Sequence, residues 1–97
     1  MINGRTQSGF EFSIPEGLDS DFRFVKAYSL IKSGDEEKAL DGAVKLVSVI
    51  FSNEAEEERL YKHLAKEHGG RVPLDVLFAE LNEIIEISKQ DESVKNS

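Results

Sequence analysis

The sequence predicts an α+β fold that is mainly α, in which a short N-terminal β-hairpin is followed by a bundle of about four helices. Two observations lead to this prediction. Apolar and polar residues alternate near the N-terminus, as in a strand with one buried face. From Asp19 onward, apolar residues recur at helical spacing in four stretches separated by glycine, asparagine or proline. At 97 residues the chain fits one domain, which we expect to span residues 1–88.

The β-hairpin is expected within residues 1–15. Its second strand has apolar side chains at every other position before a proline, namely Phe10, Phe12 and Ile14. Residues 2–6 can form the first strand, because Gly9 stands where a tight turn needs a positive φ. A lone hairpin is only marginally stable in water, so we expect its apolar face to pack on the helices or to pair with another chain.

Helices are predicted over four ranges, which are residues 19–33, 35–51, 53–68 and 73–88. Asp19 or Ser20 can cap the first helix, and Asp35 can cap the second, because their side-chain oxygens can accept from free N–H groups. Gly69-Gly70 ends the third helix, and Pro73 suits the start of the fourth. These signals set the predicted boundaries.

Each helix has an expected core face. In the first helix it is Phe22, Val25, Tyr28 and Ile31, and in the second it is Leu40, Ala43, Val44, Val47, Ile50 and Phe51. In the third helix it is Leu60, Tyr61, Leu64 and His68, and in the fourth it is Leu74, Leu77, Phe78, Leu81, Ile84 and Ile85. Gly42 lies inside the second helix at a cost of about 1 kcal/mol relative to alanine, which indicates a close helix crossing. The apolar pattern stops after Ser88, so residues 89–97 are predicted to be a disordered tail.

Composition narrows the classes of partner. The formal net charge of −7 repels a phosphate backbone, so nucleic-acid binding is disfavoured. The absence of cysteine excludes disulfides, thiolate zinc sites and thiol nucleophiles, and it fits an intracellular setting. Apolar runs fall short of the roughly 20 residues that a membrane span needs, and the N-terminus lacks a signal core. We therefore expect neither nucleic acid nor membrane as a partner.

No catalytic, cofactor-binding or metal site is predicted. His63 and His68 point about 140° apart on a regular helix, so they cannot share one metal ion. The glutamates near residue 56 lack the pattern of a calcium loop, and Gly69-Gly70 lacks the spacing of a phosphate-binding loop. The serines have no recognisable arrangement of histidine and acid partners. The chain is accordingly expected not to be an enzyme and to need no cofactor.

Apolar residues in surplus are the candidates for contact with a partner. Five of them lie off the main helical stripes or at the edge of one, namely Leu30, Leu46, Val49, Val76 and Ile87. A helix with two apolar sides is either sandwiched inside a fold or exposed for a partner. Both alternatives stay open at the level of sequence.

Four features between about Gly9 and Ile87 carry a family resemblance. They are the strand Phe10-Glu11-Phe12-Ser13-Ile14-Pro15, the acid-capped helix from Asp19 to Ser33, the segment Leu60-Tyr61-Lys62-His63-Leu64, and Gly70-Arg71-Val72-Pro73 before the last helix. In order and character they resemble the small tail assembly chaperones of long-tailed bacteriophages and prophages. The resemblance contains no catalytic signature, and no binding residue of the family transfers by position.

The resemblance implies a non-enzymatic protein of the host bacterial cytoplasm. Such a protein binds the long, helical tape-measure protein and keeps it soluble while tail-tube subunits assemble around it, and it self-associates. An alternative comes from the acid excess between Asp35 and Glu58, which suits an acidic regulatory protein or DNA mimic that binds a host or phage protein. A small hydrolase or metal enzyme is disfavoured by the absence of cysteine and by the spacing of the two histidines.

Overall fold

The structure is a computed structural model that describes residues 1–51 and 53–96, and beyond residue 90 it describes the helical backbone alone. Two strands are followed by a 3-10 turn and four α-helices. Their bounds are β1 Ile2–Arg5, β2 Glu11–Ile14, the 3-10 turn Leu18–Ser20, α1 Phe22–Ile31, α2 Glu36–Ile50, α3 Glu54–Lys66 and α4 Leu74–Asn96. The predicted fold class, a short hairpin followed by four helices, is confirmed.

The chain divides into two compact units. The hairpin unit consists of Met1–Glu16 together with Glu58–Ser97, and the α1–α2 unit is Gly17–Glu57. Each unit contains buried apolar side chains of its own. The expectation that residues 1–88 form one domain stays a prediction.

The hairpin pairs within the chain. Strand β1 runs antiparallel to β2, with Ile2 opposite Ile14, and Gly9 in the connecting turn has the predicted positive φ, at 92°. Helix α4 packs against β1. A Cβ on Gly4 would lie 2.6 Å from the Phe12 ring and 2.9 Å from Ile87, so the strand and helix meet where only glycine fits.

Nine buried apolar side chains form the core of the hairpin unit. They are Ile2, Phe10, Phe12 and Ile14 from the hairpin, Leu60 and Leu64 from α3, and Leu81, Ile84 and Ile85 from α4. Spacings of three and four residues place the members from α3 on one face of that helix and the members from α4 on one face of theirs. Full burial of each such side chain contributes roughly 1.5–3 kcal/mol to stability.

Helix α1 begins later than predicted. The carboxylate of Asp21 accepts a hydrogen bond of 2.8 Å from the N–H of Arg23, whereas Asp19 and Ser20 lie in the preceding 3-10 turn. The reason is conformational, because a capping residue needs the extended backbone that Asp21 has, at φ −83° and ψ 124°. The predicted cap of α2 is confirmed, since Asp35 accepts from the N–H groups of Glu37 and Lys38.

The buried faces of α1 and α2 differ from the predicted ones. Four residues assigned to the core are exposed, namely Phe22 at 76%, Val25 at 49%, Leu40 at 39% and Val44 at 68%. Gly42 explains the difference, because a Cβ there would lie 2.7 Å from the carbonyl oxygen of Ala27, which marks the predicted close crossing. Leu46 is about 40° around the helix from Gly42, whereas Val44 is about 200° away and faces outward.

Leu74, which was assigned to the core face of the fourth helix, is 54% exposed and is the first residue of α4. The last two helices also differ from the predicted ones in their bounds. Helix α3 ends at Lys66, two residues before the predicted end, and Gly69 and Gly70 follow with φ of 67° and 88°. Helix α4 continues past the predicted end at Ser88 to Asn96. The helix was predicted to end where the apolar pattern ends, but no glycine or proline follows there to terminate it. The remainder of the predicted tail, the side chains beyond residue 90 and Ser97, lies outside the described residues.

Candidate functional site

An open cleft lies between α1 and α2. Its volume is about 450 Å³, and its lining comes from both helices: Phe22, Arg23, Lys26, Val44, Lys45, Ser48 and Val49. Residues from the start of α1 lie beside residues from the end of α2, as expected for two helices joined by the short connection of residues 32–35. We call this feature the α1–α2 cleft.

The apolar part of the α1–α2 cleft is exposed because of how the two helices cross. Contact at Gly42 brings the opposite side of α2, with Val44, to the surface. Phe22 is the first residue of α1, directly after the cap at Asp21, and its ring is mostly exposed. Val49 is half-buried between them. Exposed apolar side chains gathered in one cleft are typical of a binding surface.

The charged part of the cleft is cationic. Its lining contains three cations, Arg23, Lys26 and Lys45, and no acid, although the chain has a net charge of −7. Arg23 contacts Asp21 at 2.9 Å, and Lys45 contacts Asp41 at 2.9 Å across one helical turn. The side chain of Lys26 forms no ion pair with any other described residue. Ser48 of the lining donates to the carboxylate of Glu57. The cleft thus combines apolar side chains with three cations, of which Lys26 is the one without an ion pair among the described residues.

The Asp21–Arg23 pair fixes one edge of the cleft. The side-chain hydrogen bond from Arg23, followed by the bond from the Arg23 backbone N–H, lowers the pKa of the Asp21 carboxyl. The same side-chain hydrogen bond raises the pKa of the Arg23 guanidinium. Both shifts favour the charged forms. Arg23 is therefore held at the mouth of the cleft as a cation.

The structure separates the five partner-binding candidates. Val49 lines the α1–α2 cleft. Leu46 is fully buried on the inner face of α2 near Gly42, so it does not belong to the exposed surface, and contact with a partner there stays a prediction. Leu30 is half-buried beside Gly42, and Ile87 is half-buried beside Gly4, so both make contacts inside their own units. Val76 is half-buried in the first turns of α4 and is not part of the cleft.

Sequence reasoning missed two apolar residues of the cleft. Phe22 and Val44 fit the helical spacing of a core face and were assigned to it. Neighbouring cations did not mark these positions as exposed, because Arg23 and Lys45 are equally next to Phe24 and Leu46, which are buried. The exposed side of each helix therefore depends on the helix crossing and not on a local pattern in the sequence.

The hairpin unit contains a cluster of polar side chains at the turn of the hairpin. The carboxylate of Glu80, which is 5% exposed, accepts hydrogen bonds from Thr6 Oγ1 at 2.7 Å and from Ser8 Oγ at 2.9 Å. His63 Nε2 lies 3.0 Å from Ser8 Oγ and 3.1 Å from the carbonyl oxygen of Ser8. The fold thus brings together a serine, a histidine and an acid that are far apart in the sequence.

The hydrogen bonds of this cluster differ from those of a hydrolase triad. The contact between His63 Nε2 and the carbonyl oxygen of Ser8 is a hydrogen bond in the tautomer that has its proton on Nε2, because a carbonyl oxygen only accepts. A general base would need that nitrogen unprotonated, with the acid bound to the other ring nitrogen. Here Glu80 binds the serine hydroxyl directly. The cluster links the hairpin turn to α3 and α4, and its acid contacts the serine where a triad acid would contact the histidine.

The other histidine is also engaged within the chain, since His68 Nδ1 lies 2.8 Å from the carbonyl oxygen of Leu64. Across the described residues, no three side chains of the metal-binding types His, Cys, Asp and Glu are grouped so that they could hold an ion. Within the same part of the chain, every helix is too short or too polar to cross a membrane. Comparison with known proteins gave no match, since no family model, no curated protein and no solved structure is significantly similar to the chain.

Proposed function

We propose that this chain is a non-enzymatic tail assembly chaperone, which binds a tape-measure protein in the bacterial cytoplasm and keeps it soluble while the tail tube assembles. The observation that carries the proposal is the α1–α2 cleft, an exposed apolar surface whose lining includes three cations. The family resemblance of the sequence supplies the identity of the partner.

The physical basis is the covering of one apolar surface by another. A long helical protein that is not yet enclosed exposes apolar stripes, and such stripes associate with one another in water. A cleft between two helices can cover a stripe by helix-in-groove packing. The net charge of −7 then keeps the complex soluble, because like-charged complexes repel each other.

A role without catalysis is supported by the polar cluster at the hairpin turn. Glu80 is buried and accepts from two hydroxyl groups, which makes it a structural acceptor. The acid of the cluster contacts the Ser8 hydroxyl and not the His63 ring, which differs from the order of contacts in a hydrolase triad. We therefore interpret this polar cluster as a structural feature that stabilises the hairpin.

Co-expression tests the proposal directly. The tape-measure protein encoded near this chain is produced in bacteria with and without it, and its soluble fraction is measured. We expect the tape-measure protein to move from the insoluble to the soluble fraction when this chain is present. An unchanged soluble fraction would overturn the proposal.

We also propose that the chain self-associates, as the resemblance implies. A small unit buries a limited fraction of its surface, so association is a natural source of added stability. Light scattering over a range of concentrations measures the mass in solution. A mass that is a multiple of the chain mass supports self-association, and a monomer at every concentration contradicts it.

The acidic alternative has weaker support. Asp35 caps α2 through its carboxylate, and Glu57 accepts a hydrogen bond from Ser48. Acids in the first turns of α2 and α3 also interact favourably with the positive ends of the helix dipoles. Because these groups have roles within the fold, the acid excess does not require a partner. Binding to a nucleic-acid-binding protein that weakens with added salt would favour the alternative.

A further inference from the structure

We propose that the α1–α2 cleft receives an amphipathic helix of the partner whose apolar face is bordered by aspartate and glutamate. The identity of the partner rests on the function proposed above. The chemistry of the helix rests on the cleft itself, which presents apolar side chains and cations together.

The form of the cleft favours a helix over an enclosed small molecule. Phe22 and Val44 are both more than half exposed, so the cleft is open along one side. Leu40, one turn before Val44 on α2 and also exposed, extends the apolar line along the helix. A third helix laid on this line, roughly 8–10 Å from each neighbour, would pack as helices do in ordinary domains.

The charges of the cleft specify the border of that helix. Arg23, Lys26 and Lys45 lie among the apolar residues with no acid in the lining. Arg23 and Lys45 each have an acidic neighbour on their own helix or cap, whereas Lys26 has no ion pair with a described residue. An acidic side chain on the incoming helix would find its best partner at Lys26. Opposite charges around an apolar contact select the partner and its register.

A second copy of the chain is a poorer occupant. In a symmetric dimer the same patch faces itself, so cleft against cleft would set the three cations of one copy against those of the other. Like charges placed face to face disfavour association. Copies of this chain are therefore expected to associate through a different surface.

Two synthetic peptides of about 20 residues test the charge preference. Both carry leucine at helical spacing and one tryptophan, and they differ only in having glutamate or lysine beside the leucines. This chain contains no tryptophan, so peptide fluorescence reports binding without background. We expect the glutamate peptide to bind at least about tenfold more tightly at low salt, with the preference shrinking as salt is added.

The peptide comparison is a stringent test of the charge preference, because the net charge of −7 attracts the lysine peptide and works against the expected result. Preference for the glutamate peptide can then arise only from a local cationic surface. Equal binding of the two peptides, or tighter binding of the lysine peptide, would overturn the inference.

Matched variants locate the site. Lys26→Glu and Val44→Asp change the cleft, and Lys66→Glu and Leu74→Asp make the same kinds of change at exposed positions of the hairpin unit. We expect the cleft variants to weaken binding of the glutamate peptide at least about fivefold and the controls less than about twofold. Equal loss in cleft and control variants would overturn the assignment to this cleft. Circular dichroism confirms folding, and Lys26→Glu keeps the test valid if Val44→Asp unfolds.

The two proposals fail separately. If the chain keeps the tape-measure protein soluble but shows no preference for the glutamate peptide, the inference is wrong and the proposed function stands. If the glutamate peptide binds the cleft but the tape-measure protein stays insoluble, the proposed function is wrong and the specificity of the cleft stands.

Discussion

Gly42 shows how one residue decides which surface of the α1–α2 unit is exposed. A Cβ at this position would lie 2.7 Å from the Ala27 carbonyl oxygen and 2.9 Å from the Leu30 Cβ. The helices therefore meet at this glycine, and the side of α2 that carries Val44 faces outward. The sequence indicated a close crossing from the glycine alone, but not which residues it would turn outward.

Gly42→Ala is expected to destabilise the chain. Alanine gains about 1 kcal/mol of helix propensity over glycine, but forcing the helices apart costs roughly 1–3 kcal/mol in a packed contact. We expect a net loss in the free energy of unfolding, measured by urea denaturation. Ser29→Ala, at an exposed position of α1, is the control and should have little effect. A Gly42→Ala chain more stable than the wild type would contradict the close crossing.

Glu80 is the second residue with a specific role, since it is the buried acceptor for Thr6 and Ser8. Glu80→Ala leaves the Thr6 hydroxyl without that acceptor, and we expect a loss of about 1.5–3 kcal/mol in the free energy of unfolding. Glu80→Gln retains an oxygen acceptor and should lose less. Thermal and urea denaturation measure both, with the exposed Glu86→Ala as the control. Equal stability of Glu80→Ala and Glu86→Ala would show that the cluster does not hold the hairpin.

At the scale of the elements, the start of α1 couples stability to pH. The hydrogen bonds from Arg23 lower the pKa of Asp21 in the folded chain. A lowered pKa contributes stability that is present above the unfolded pKa and is lost as the pH falls through the folded pKa. We expect an NMR titration of the wild type to place the Asp21 pKa below its ordinary value.

The Arg23→Ala variant tests the cause of that shift. Without the side-chain hydrogen bond, the Asp21 pKa should rise toward its ordinary value. Lys26→Ala is the control and should leave the Asp21 pKa unchanged, because Lys26 does not contribute to the shift. An unchanged Asp21 pKa in Arg23→Ala would show that the pair at the mouth of the cleft does not form.

The elements themselves were largely predictable from the sequence, because their signals are local. The turn at Gly9, the cap at Asp35 and the stop at Gly69-Gly70 each depend on one or two residues and their backbone conformation. The faces of the helices were less predictable. An apolar period gives the direction of a stripe but not its packing partner, so Leu46 and Val44 were assigned to the wrong sides.

The candidate site was predictable only in part for the same reason. Val49 was named as a contact candidate and lines the cleft, whereas Phe22 was assigned to the core. A cleft between two helices depends on their crossing, which is a tertiary property that no single stripe specifies. Cations next to the apolar residues did not distinguish the exposed ones, because Arg23 and Lys45 are also next to the buried Phe24 and Leu46.

At the scale of the whole molecule, charge is distributed unevenly. The chain is strongly acidic, yet the lining of the α1–α2 cleft contains cations without acids. We expect this contrast to disfavour nucleic acid as a partner and, on the inference above, to favour an acidic partner helix at one place. Our account of the function therefore depends on contact at this cleft and not on the acidity of the chain.

Retention of the tape-measure protein by cleft variants tests this central claim most directly. Tagged wild type, Val44→Asp and Leu74→Asp chains are co-expressed with the tape-measure protein, and the amount retained per chain is measured after capture. The two substitutions place the same charge at exposed apolar positions, one in the cleft and one outside it. We predict that Leu74→Asp retains as much as the wild type and that Val44→Asp retains at least about fivefold less. Retention by a folded Val44→Asp chain equal to that of the wild type would contradict the account.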